Sequence, residues 1–88
     1  MDLSIVLVKN PLAAYRIYEG KATVVLSERA EVKVVNEIGS LIWDRIDGRR
    51  TLGEIADQVV AEYDVDPEEA RRDVLEFAAS LSEHGMVA

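Results

Sequence analysis

The sequence predicts an α+β fold in which an N-terminal antiparallel β-meander packs on a C-terminal three-helix bundle, winged-helix-like in outline. Three observations carry the prediction. Residues 5–34 hold short β-branched and aromatic runs separated by turn signals. Residues 36–85 hold three stretches with apolar residues at three- and four-residue spacing, each preceded by a capping residue. Each half has one apolar face and too few elements to be stable alone, so the two must share a core.

Taken in order, Ile5–Val8 is an apolar run that reads as a strand, and Asn10-Pro11 marks a turn because proline disfavours helix at the preceding residue. Ala14–Glu19 and Ala22–Leu26 follow as strands around Gly20. After the polar break Ser27-Glu28-Arg29, Ala30–Val34 alternates with period two: Val32 and Val34 share one face, Glu31 and Lys33 the other. Asn36 is a cap for a helix from Glu37 to about Asp47, with Ile38, Leu41, Ile42 and Ile46 on one face, Trp43 beside it and Gly48 as the stop. Thr51 and Glu54 form a capping box for a second helix with Leu52, Ile55, Val59 and Tyr63 inward. Asp66-Pro67 opens a third helix whose inner stripe is Ala70, Val74, Phe77 and Leu81. Gly85 ends it, and Met86-Val87 returns to the core.

The 88 residues fit one domain, spanning 1–88. There is no cysteine, which excludes disulfides, thiolate metal sites and thiol catalysis, and favours a cytoplasmic setting. The N-terminal run is too short to span a bilayer and lacks a basic flank, so no membrane partner is expected. A formal charge of −7 weighs against nucleic acid, whose binding draws on phosphate neutralisation.

The residues show no catalytic constellation. His84 is the only histidine and stands at a helix end without an evident partner. Asp64, Asp66, Glu68 and Glu69 lack calcium-loop spacing, and capping explains the last three. No nucleophile elbow or phosphate loop is present. The expectation is a chain without metal, cofactor or turnover. The last helix carries a second stripe, Arg71, Leu75, Ala78 and Ser82, small or apolar enough to wall a shallow groove.

Several of these residues fall in a familiar order. Val8-x-Asn10-Pro11 and Tyr15-Arg16, then Val35-Asn36-Glu37-x-Gly39, Ile42-Trp43, Ile46-Asp47-Gly48-x-Arg50-Thr51 and Glu54-Ile55 resemble the PqqD-like family. So do Glu62-Tyr63-Asp64-Val65-Asp66, Asp73-Val74, Phe77, Leu81 and Gly85. These are RiPP recognition elements, or precursor-peptide chaperones. The resemblance implies a three-stranded sheet against three helices. It implies that the leader of a ribosomally made peptide adds as a strand to the third strand, beside the third helix, for a modifying enzyme, often a radical S-adenosylmethionine protein. Pyrroloquinoline quinone synthesis is one such pathway. Carried onto this chain, the docking strand is Glu31, Val32, Lys33, Val34 and Val35, and the helix wall is Arg71, Leu75, Ala78 and Ser82. Arg71 and Arg72 would favour an acidic leader. An open strand edge also leaves room for a homodimer. The rival reading is a winged-helix nucleic-acid-binding or regulatory domain.

Overall fold

The computed structural model describes residues 1–88. The order is β1 (Ala13–Tyr18), β2 (Lys21–Leu26), a 3-10 turn (Ser27–Arg29), β3 (Glu31–Val35), α1 (Glu37–Arg45), α2 (Leu52–Tyr63) and α3 (Pro67–Glu83). The strands form one antiparallel sheet in the order β1-β2-β3. The last three strands of the expected meander and all three helices are present. Glu19 and Gly20 both take left-handed conformations between β1 and β2, which matches the twist of a two-residue hairpin.

The helix starts follow from their caps. The Asn36 side chain accepts the Gly39 N–H at 2.8 Å. Thr51 and Glu54 form the reciprocal box, with the Thr51 N–H donating to Glu54 at 2.9 Å and the Glu54 N–H to Thr51 at 3.1 Å. Asp66 accepts from Glu68 and Glu69. α1 stops earlier than expected, at Arg45, with Ile46 extended as its cap; Gly48 is left-handed but lies in the following loop.

The Ile5–Val8 run is not a strand of the sheet. It makes one bridge at Val6 to Thr51, and the segment makes another at Lys9 to Val87. Its backbone serves the helices instead. The first amides of a helix have no partner within it, and here the Leu52 N–H donates to Ile5 O and the Gly53 N–H to Leu3 O, both at 2.9 Å. Ala88 and Val8 exchange backbone bonds, so the segment also ties down the C-terminus.

One cluster of buried apolar residues joins sheet and helices. Val24 and Leu26 of the central strand are fully buried in it together with Ile42, Ile55, Val74 and Leu81. Trp43 is buried too. On α3, Ala78 takes the fully buried position expected of Phe77, which is half-buried at the core's edge. Tyr63 is likewise exposed rather than inward. The alternation of β3 sets its faces. Lys33 is paired with Val24, Glu31 with Leu26 and Val35 with Ala22, so these three look toward the helices. Val32 and Val34, 59% and 60% exposed, lie on the sheet's open face. No helix is long and apolar enough to cross a membrane.

Candidate functional site

β3 pairs with β2 along one side and with nothing along the other. In an antiparallel ladder residues alternate in pointing their backbone groups toward the partner strand, so part of β3's main chain faces outward unpaired. This row is the open edge that strand addition requires.

The inward side chains of β3 meet one flank of α3 across a groove. Glu31 Oε2 lies 2.7 Å from His84 Nδ1. The Lys33 ammonium stands 5.4 Å from the centroid of Phe77, a cation–π distance. Between them and α1 is a pocket of about 360 Å³ whose lining includes Lys33, Ile38, Asp73, Glu76, Phe77 and Ser80. Gly39 lets Phe77 approach α1: a Cβ there would lie 3.1 Å from the Phe77 ring and 3.2 Å from Val35 Cβ. Lys33 is the one cation among the pocket's residues, and neither Asp73 nor Glu76 forms an ion pair.

The structure places the helix wall expected from the sequence elsewhere on α3. At ~100° per residue, Asp73, Phe77, Ser80 and His84 centre roughly 90° to one side of the buried stripe. Arg71, Leu75 and Ser82 centre about 90° to the other side. They therefore face away from the groove. Ala78 is 0% exposed and belongs to the core. Arg72 is on the exposed back of the helix, and neither arginine forms an ion pair. Of the five strand residues, the structure brings Glu31 and Lys33 to the groove, buries Val35, and turns Val32 and Val34 outward.

Phe77, His84, Asp73, Glu76, Ser80, Ile38 and Gly39 were not singled out as site residues by the sequence. Phe77, Gly39 and Asp73 stood among the family-like positions, and that was their only signal as site residues. His84 had none, because its partner Glu31 is 53 residues away. The His84–Glu31 contact has no hydroxyl relay attached and reads as a structural tie. No group of three or more histidines and carboxylates converges as a metal site. An electrostatic perturbation lies elsewhere, in the α1–α2 loop. There the Arg50 and Arg49 amides donate to Asp47 and hold its carboxyl below the usual aspartate range, helped by the arginine charges.

A second, larger concavity of about 1110 Å³ opens on the other side of α1, beneath the β1–β2 hairpin. Tyr15, Ile17, Leu41, Trp43 and Tyr63 supply its apolar walls. The Tyr15 hydroxyl meets the Ser40 hydroxyl across it at 3.1 Å.

Comparison with known proteins places this geometry. A "PqqA binding protein" of Xanthomonas oryzae pv. oryzae strain PXO99A is 36% identical over 59 residues, covering 67% of this chain and 64% of the relative. The match thus spans just under two thirds of that relative's length. The fold is similar to the solution structure of the PqqD truncation of Methylobacterium extorquens PqqCD, described as a functional stand-alone RiPP recognition element. The TM-score is 0.81 at 22% identity, covering 99% of this chain and 93% of the other. It is also similar to a lasso peptide synthetase B1 complexed with the leader peptide, with TM-score 0.80, 21% identity, and 96% and 99% coverage. TbiB1 in complex with the TbiA(beta) leader peptide gives a TM-score of 0.75 at 20% identity, with 90% and 92% coverage. The family model for coenzyme PQQ synthesis protein D matches residues 22–87, and the chain belongs to the PqqD family.

Proposed function

We propose that this chain, acting as one 1–88 unit, binds the leader of a ribosomally synthesised precursor peptide and presents it to a modifying enzyme, with no turnover of its own. The observation that carries the reading is the unpaired outer edge of β3 running beside the α3 groove. Backbone bonds along the edge supply affinity, and the groove reads alternate side chains of the guest. The Xanthomonas relative is named for binding PqqA, and two of the structurally similar proteins were solved with leader peptides. Lys33, Phe77, Ile38, Asp73 and Glu76 are the side chains a docked strand meets first. Val32 and Val34 serve through their backbone. The partner enzyme gains by a raised local concentration of its substrate. The cysteine-free composition suits work in the cytoplasm.

Calorimetric titration with a synthetic PqqA peptide from the Xanthomonas relative tests this. Saturable one-to-one binding, lost when the peptide carries N-methylated amides at alternate positions, is expected. Unchanged binding by the methylated peptide would remove strand addition.

A further inference from the structure

The groove beside β3 is not the larger concavity of the molecule. The cleft beneath the hairpin has about three times its volume, about 1110 against 360 Å³, and no backbone or side chain of the chain fills it. Its walls leave large apolar side chains uncovered: Ile17 is 65% exposed, Tyr15 42% and Tyr63 36%. Its lining holds Lys9 and Lys21 against Glu37 and Asp44, with the Lys9 ammonium 5.0 Å from the Trp43 ring centroid, so it carries no net charge beside its apolar walls.

The cleft is continuous with the docking edge. Val34, Val35 and Asn36, the end of β3 and the cap of α1, belong to its lining, and Asn36 lines the smaller groove as well. A guest strand that follows β3 past Val35 therefore emerges at the mouth of the cleft. From the guest's position to β1 is three strand spacings, about 14 Å, which four or five extended residues cover at about 3.3 Å each.

We infer that the hairpin–α1 cleft is a second subsite for the same precursor peptide, taking one or two large apolar or aromatic side chains from the segment that continues past Val35. The inference rests on the strand-addition reading of β3. It makes a directional demand. A guest antiparallel to β3 has its N-terminal side beyond Val35, whereas a parallel guest has its C-terminal side there. Only one of the two flanking segments reaches the cleft.

The test uses the shortest strand-length segment of the Xanthomonas PqqA peptide that binds, and two versions lengthened by the native residues on the N- or C-terminal side. One extension alone is expected to tighten binding by about tenfold or more, the factor a buried apolar side chain supplies. Ile17→Lys, at an exposed position that spares the core, places a charge in the apolar cleft. Ile17→Lys should erase the gain and leave the short segment's affinity unchanged. No gain from either extension, or equal weakening of short and long peptides by Ile17→Lys, overturns the subsite while leaving the β3 edge in place. A sedimentation shift caused by Ile17→Lys without peptide would assign the cleft to a second copy of the chain and also overturn it. If no short segment binds at all, strand addition falls and the subsite with it.

Discussion

The two flanks of α3 make an instructive pair. Both lie about 90° from the buried stripe, and both mix a partly buried apolar residue with polar ones. On one flank Leu75 stands with Arg71 and Ser82; on the other Phe77 stands with Asp73, Ser80 and His84. Only the second faces β3, where His84 reaches Glu31 and Phe77 sits under Lys33. The difference is not in the composition of the flanks. It comes from where the sheet lies relative to the helix, which is a property of the connections between them. A helical wheel defines two edges of a core, and tertiary structure alone decides which borders a groove.

The comparison can be broken most sharply at its two apolar residues. Phe77→Ala should weaken leader binding by about 2 kcal/mol, roughly 30-fold, as expected for a central contact. Leu75→Ala should leave affinity within about threefold while lowering the melting temperature, because its contacts are with the core. Parallel calorimetry and thermal melts of both variants check this, and the opposite ranking of affinities would restore the Leu75 flank.

A second test concerns stability without the groove. Thr51→Ala removes one half of the α2 capping box and should cost about 1 kcal/mol, or ~4–8 °C in melting temperature, with peptide affinity unchanged. His84→Ala should cost less, about 0.5 kcal/mol, because both partners are about one-third exposed and solvent screens them. Its effect on peptide affinity should exceed that of Thr51→Ala, since it frees the first residue of the docking strand. Equal affinity effects would make the His84 tie irrelevant to the edge.

The smallest expected effect is at Asp47. Its folded carboxyl titrates below its unfolded value, so the unfolded chain takes up the proton first as pH falls. The contribution is therefore complete above the ordinary aspartate value near 3.9 and is lost as pH drops through the lower, folded one. Asp47→Asn should flatten this part of the acid limb in urea melts, with no change in the pH dependence of peptide binding.

Local rules carried most of the fold. Caps at Asn36, Thr51 and Asp66 placed three helix starts, and alternation placed β3. What failed were judgements needing a partner distant in sequence. Ile5–Val8 has the composition of a strand, but its carbonyls go to the first amides of α2 instead of a sheet neighbour. Phe77 fits the inner stripe by periodicity, yet Ala78 is the residue small enough to sit fully buried. The open edge of β3 was legible because a three-strand meander always leaves its last strand with one open side. The residues across the groove were not, since no local pattern links Glu31 to His84 or Lys33 to Phe77.

Backbone amide hydrogen exchange of the free and peptide-bound chain puts the most direct question to the open edge. With the shortest binding PqqA segment, slowed exchange should appear at alternate amides within Glu31–Val35, while those of Ala13–Tyr18 on the far strand stay as they were. Protection gained along β1 and absent from β3 would contradict the account.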